Sequence, residues 1–439
     1  MSIVYCIAFI YLLSAFAEQI AWGIVAITQI GLFAGSAICF LEYFETKGAN
    51  LNSSSEKSKG FLIGGIVLLL CSLIMLCMIV CGFNSLRIAI NVVDASADFT
   101  KKTKRIIGVP VFYFFIQMVV VTTWLFSMAC IWSWGEIIPD HLSIQTKETY
   151  FPPGHKWDFY GVALFMLFGL FWILEFMQAK TYFITMVAAS SYYFDSHKDR
   201  EGEADVSIGF KYAYMNHAGS LAFGSFIVAL VQFIRAVFMT LAEQAERASG
   251  ENPAVKAIVC CANCLLKCIE KICDYINKSA YAYMAVSGQG FCQSAWNAFL
   301  LQLKHGLAFA WAKFLAEAFI FTGKLAVVLI NCGSCYFIMK YVTKDFEETA
   351  TDSAVSSAAA PIAIVGVVTF ICTTIFLGLF DETVLALLTC LSIDTDLNGE
   401  PKYGPPTFHD AINLVKGKEV NAIQDGGWEK APKEETQMV

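Results

Sequence analysis

Apolar residues run in long blocks along this chain, separated by short polar stretches. The blocks cover residues 2–16, 20–41, 61–83, 107–134, 159–193, 219–242, 308–341 and 357–390, with a weaker one at about 257–285. A helix needs ~20 apolar residues to cross the hydrocarbon core. The pattern therefore predicts an all-α fold, a polytopic transmembrane helical bundle of about nine membrane segments. The first block is short, ends at Glu18-Gln19 and leads almost directly into the second. No basic region precedes it and no cleavage site is evident, so it is expected to stay in the mature chain.

The polar stretches give the predicted topology. Residues 85–105 alternate apolar and polar faces and end in Lys101, Lys102, Lys104 and Arg105. This predicts an amphipathic interfacial helix on the cytoplasmic side. Loop 135–158, with Pro139, Pro152, Pro153 and Gly154, is then external, and loop 195–217 cytoplasmic. The polar loop 42–60 holds Asn52-Ser53-Ser54, an acceptor pattern for N-glycosylation if it faces outward. The block at 257–285 has only about ten uninterrupted apolar residues before Lys267, Glu270, Lys271 and Asp274, a length that fits an interfacial helix. If it does not span, the sidedness of everything after it inverts. Residues 1–393 are expected to form the membrane domain, and residues 394–439, with Pro401, Pro405 and Pro406, a cytoplasmic tail.

Composition agrees with a membrane protein. The chain is 57% hydrophobic and 15% charged, against ~25% charged for a soluble domain. A net charge of −7 gives no sign of nucleic-acid binding. The sixteen cysteines fall mostly inside apolar blocks, where thiols act as small hydrophobes. Cys260, Cys264 and Cys268 share a helical face, which fits packing or S-acylation better than a zinc site, since structural zinc takes four ligands on a turn-rich scaffold.

The candidate chemistry begins with Glu175, a carboxylate in the middle of block 159–193. At mid-bilayer it costs ~2.5–3.5 kcal/mol, so it should face protein or a water-filled cavity. Helical spacing places Trp172, Glu175, Ala179 and Tyr182 on one face. Aromatic faces beside a carboxylate suit a small organic cation, since cation–π attraction is worth ~2 kcal/mol or more when desolvated. With Phe176, and with the deeper Trp124, they make a candidate cage. The plainer alternative is packing, with Glu175 paired to Lys180 or to another helix. Trp132 and Trp134 fit an interfacial aromatic belt. Asp381 and Glu382, adjacent in the last block, could relay protons or hold a cation; the plainer alternative is that they lie near the membrane surface. Lys324 and Arg235 also interrupt apolar blocks and need partners. The six histidines fall in loops, at block edges or in the tail, leaving acid–base or metal chemistry no obvious centre and arguing against an enzyme.

Several stretches together resemble the choline transporter-like family of solute carriers. Asn277, Ala280 and Tyr281, followed by Gly288, Phe291, Cys292, Ser294, Ala295, Ala298 and Phe299, are similar to its N-x-x-A-Y … G-x-x-F-C-x-S-A-x-x-A-F signature. Gly219 to Arg235 is similar to its G-S-L-A-F-G-S-x-I-x-A-L-x-Q-x-I-R run, and Trp172, Glu175, Phe176 and Ala179 to its W-x-x-E/Q-F-x-x-A pattern. The cysteine-rich stretch after Asn252-Pro253 and Gly323-Lys324 also match. Near the end, Asp381 stands where the family usually has glutamate and Leu385 where aspartate is common, while Cys390 and Asp394 match.

The resemblance covers residues 1 to about 410. It implies an all-helical carrier of choline, extending to ethanolamine, that supports phospholipid synthesis and exchanges its substrate for protons. It places the chain in the plasma membrane, with an organelle membrane as the alternative. Trp172, Phe176, Tyr182 and Trp124 would form the cage. Glu175 would supply the counter-charge and, with Asp381 and Glu382, proton or ion coupling. Family members begin with a cytoplasmic tail, a first span and a large external domain, which this chain is expected to lack. The other reading is a structural or accessory membrane subunit, whose cage would be filled by the protein's own side chains or by lipid. Neither reading calls for a cofactor or a metal, and the oligomeric state stays open.

Overall fold

The apolar blocks fold as helices because a helix satisfies its backbone N–H and C=O groups within one segment, as a membrane demands. The computed structural model describes residues 2–49, 55–133, 136–137, 149–150, 156–248, 253–342, 359–406 and 408–409. Its helices are α1 (Ser2–Ala49), α2 (Ser55–Cys81), α3 (Phe83–Lys102), α4 (Gly108–Trp132) and α5 (Lys156–Asp195). The second half adds α6 (Val206–Lys211), α7 (Ala218–Ala248), α8 (Pro253–Ser287), α9 (Phe291–Phe337) and α10 (Ala359–Asn398). A two-residue antiparallel ladder pairs Glu136 with Tyr150 and Ile137 with Thr149. Asn52, Trp134 and the tail from residue 410 lie outside the described residues.

Among the described residues, seven helical segments are long and apolar enough to cross a membrane. They are Ala15–Phe44, Gly60–Cys81, Lys104–Trp132, Tyr160–Asp195, Ala218–Ala248, Phe291–Tyr341 and Ala359–Asn398. Their outer faces carry exposed Phe33, Leu70, Phe126, Phe165 and Phe321, as lipid-facing helices do. Two differences explain why the number is below nine. Residues 2–16 and 20–41 belong to one helix, α1, broken at Phe16 (φ −135°, ψ 21°) just before the polar Glu18-Gln19 pair. Residues 257–285 belong to α8, whose charges keep it outside the seven.

Residues 85–105 do form a helix and its basic end, but α3 does not lie on a surface. No residue from Ser85 to Thr100 is exposed. Leu86, Ile90, Val93 and Phe99 are buried where α3 packs against α1, α9 and α10. Its polar side chains Arg87, Asn91, Asp94 and Asp98 are half-buried. Burial, with Asp98 and then Glu18 nearby, pushes Asp94 up from 3.8 to about 6.

The core lies where α3, α5, α8, α9 and α10 converge. Polar side chains join helices across it, as in the Asn331 amide donating to the Thr369 hydroxyl at 2.6 Å. Close approach at Gly224 brings α7 onto α8: an added Cβ would lie 2.3 Å from the Tyr281 hydroxyl and 2.7 Å from Phe291. The expected boundary at residue 394 falls inside α10. Asp394 is buried and accepts hydrogen bonds from the Tyr193 hydroxyl at 3.0 Å, the Asn398 amide at 2.7 Å and the N–H groups of Lys402 and Tyr403 at 2.9 Å. This ties the chain after α10 to the end of α5.

Candidate functional site

The stripe on α5 meets three other helices. Glu175 faces α7, where the Gln232 amide donates to its Oε1 at 2.7 Å. Glu175, Tyr182, Gln232 and Asp274 line a cavity of about 440 Å³, together with Arg235, Lys267, Glu270 and Lys271. Arg235 is bonded to Glu270 across that wall. So the carboxylate in the apolar block faces a polar cavity, as its cost demands.

A second cavity, of about 370 Å³, lies on the other side of Tyr182. Its lining includes Gln117 of α4, Gln178 and Tyr182 of α5, Lys278 of α8, Lys324 of α9, and Asp381 and Glu382 of α10. Glu382 is 3% exposed and Asp381 is half-buried. Between the cavities stands Lys278. Its ammonium lies 3.3 Å from Glu382, 3.5 Å from Asp381 and 3.8 Å from Asp274. It also lies 4.4 Å from the centre of the Tyr182 ring. A void of about 10 Å³, lined by Glu175, Ala179, Asp274, Lys278 and Tyr182, lies beside this point, and Glu175, Tyr182 and Asp274 also line the first cavity.

The expected site residues divide into two groups. Glu175 and Tyr182 come together around one cavity, and Tyr182, Asp381 and Glu382 around the other. Trp172, Phe176 and Trp124 line neither. Trp172 packs on Phe168 and Phe226, its indole N–H donating to the Ala222 carbonyl at 3.1 Å. Trp124 donates to the Met166 carbonyl at 3.0 Å. The Phe176 ring faces the Lys180 ammonium at 4.2 Å, which also lies 4.1 Å from the Tyr214 ring. Lys180 thus sits between aromatic rings rather than on Glu175. Lys324 reaches the second cavity, 5.6 Å over Phe370.

Asp274, Lys278 and Gln232 did not stand out as site residues in the sequence. The signal was present on α8: Glu270, Asp274 and Lys278 repeat at four-residue spacing and so share one helical face. Among the described residues, no group of three His, Cys, Asp or Glu is placed to hold a metal ion. What the arrangement offers is an aromatic face and four carboxylates beside water-accessible space, which suits a small cation.

A family described as plasma-membrane choline transporter matches residues 66–396. Choline transporter-like protein 2 of Danio rerio is 25% identical over 469 residues, covering 95% of this chain and 66% of that protein. Choline transporter-like protein 2 of Dictyostelium discoideum is 26% identical over 429 residues, covering 94% and 64%. Choline transporter-like protein 4 of Mus musculus is 29% identical over 273 residues, covering 61% and 38%. The chain spans just under two thirds of the length of the first two relatives.

Proposed function

We propose, for a chain that belongs to the plasma-membrane choline transporter family, that its helices carry choline or a similar small organic cation across a membrane. The observation that carries this reading is the meeting of Glu175 and Tyr182 at a cavity of about 440 Å³, inside the ~300–1,000 Å³ range of small-molecule sites. In this reading Tyr182 supplies the aromatic face, Glu175 and Asp274 the counter-charge, and Asp381 and Glu382 the next station. Trp172, Phe176 and Trp124 support the walls around it. A carboxylate neutralised either by a proton or by a bound cation exchanges one for the other, so Glu175 is the proposed point of proton coupling. Ethanolamine, which keeps the charge but loses the methyl groups, belongs to the same reading. So do supply of choline for phospholipid synthesis and residence in the plasma membrane.

A second reading, a non-transporting membrane subunit, has an observation in its favour. The protein's own lysines occupy two aromatic faces, Lys180 at Phe176 and Lys278 at Tyr182. Uptake of radiolabelled choline into proteoliposomes, with and without a pH gradient, decides between the two. A carrier accumulates choline saturably, and Glu175→Gln weakens the uptake and its response to the gradient. The absence of saturable uptake by the wild type would support the subunit.

A further inference from the structure

The Lys278 ammonium sits in a seat with the chemistry of an organic-cation site. It has one aromatic face, Tyr182 at 4.4 Å, and three carboxylates, Glu382, Asp381 and Asp274, at 3.3, 3.5 and 3.8 Å. A ring face beside anionic groups is what holds a quaternary ammonium. The seat also adjoins empty space. Tyr182 lines both large cavities, and Lys278 lines the one of about 370 Å³ and a void of about 10 Å³ that shares Glu175, Tyr182 and Asp274 with the other. The ammonium therefore stands at the partition between them.

A static ion pair at this point would keep the two cavities apart. The side chain has an alternative. Lysine is a point charge on a flexible four-carbon stem. Asp274 lies one turn earlier on the same helix, and its side chain is 42% exposed, toward the cavity that also holds Glu175. Swinging toward Asp274 vacates the Tyr182 face and the Glu382 carboxylate while keeping one charged partner for Lys278. No backbone movement is required.

We propose that Lys278 is a tethered competitor for the cation seat at Tyr182, Asp381 and Glu382: it fills the seat when no substrate is present, and the cation displaces it in passing between the cavities. The identity of the displacing ligand rests on the carrier reading above. The seat itself does not. A trimethylammonium group suits the exchange, because it brings the same charge and needs no hydrogen-bond partners.

The test uses the full chain, choline as the probe and thermal melting as the readout. Lys278→Met is neutral and similar in length, so it removes the competitor. A seat open a tenth of the time or less weakens apparent affinity tenfold or more. The half-saturating choline concentration should therefore fall at least about tenfold in Lys278→Met, while Lys278→Arg stays near the wild type. Should Lys278→Met not survive purification, Lys278→Met with Asp274→Asn removes one charge of each sign and is compared with Asp274→Asn alone. An equal or higher half-saturating concentration without the lysine overturns the inference. If the wild type still takes up choline in that case, the carrier reading stands. If the wild type takes up none while Lys278→Met melts higher with choline, the seat is supported and the carrier reading fails. No melting response to choline in either form overturns the inference, and absence of saturable uptake by the wild type overturns the carrier reading.

Discussion

Tyr182 carries more of the proposed site than any other residue, because its ring borders both cavities and faces the Lys278 ammonium. The ring face, rather than the hydroxyl, should matter. Tyr182→Phe is expected to leave half-saturating choline within about threefold, while Tyr182→Ala raises it by tenfold or more, matching a cation–π contribution of ~2 kcal/mol. Trp172→Ala should change it less than twofold if the compact site is right, since Trp172 bonds to Ala222 and lines neither cavity; a large rise would favour the wider cage. Glu175 and Tyr182 were legible in the sequence because a carboxylate in an apolar block is costly and helical spacing aligns the two. Lys278 was not, since its partners Asp381 and Glu382 lie over a hundred positions away on another helix. Asp94 belongs to this scale too. Half-buried beside Asp98 and Glu18, it holds its proton to about pH 6 in the folded protein against 3.8 unfolded. The folded state binds that proton more tightly, so the stability it lends is full below pH 3.8 and is lost as pH rises through about 6. Asp94→Asn should then stabilise the protein at pH 7.5, by at most about 3 kcal/mol, and change little at pH 4. Melting curves at the two pH values check this.

At the scale of elements, close packing sets which helices meet the site. Gly224 lets α7 approach α8, and the Asn277 amide on α8 donates to its carbonyl at 2.6 Å. Gly224→Ala should destabilise the chain by about 1–3 kcal/mol, because the new Cβ meets the Tyr281 hydroxyl and Phe291. It should also weaken choline binding by shifting Lys278, which lies one residue after Asn277. A lowered melting temperature with unchanged binding would separate the packing from the site. Apolar length made most helices legible in advance. The exceptions have physical causes. The Glu18-Gln19 pair looked like a loop, yet a kinked helix accommodates it within α1. The amphipathic α3 looked like a surface helix, because a sequence pattern does not show that α1, α9 and α10 cover it. The polar, proline-containing stretch after residue 394 looked like a tail, and the buried bonds of Asp394 to Tyr193, Lys402 and Tyr403 pack its first residues against the end of α5.

For the whole molecule, seven apolar helical segments pack with α3 and α8, two helices with charged faces, and the later part of α8 brings Asp274 and Lys278 to the site. This explains how a chain of 57% hydrophobic residues keeps four carboxylates around one partition. It also makes the central claim measurable apart from net transport. Equilibrium binding of radiolabelled choline to the purified chain should be saturable in the wild type. It should be about tenfold or more weaker in both Glu175→Gln and Tyr182→Ala, with all three proteins melting cooperatively. Saturable binding that neither substitution weakens would contradict a cation site at Glu175 and Tyr182.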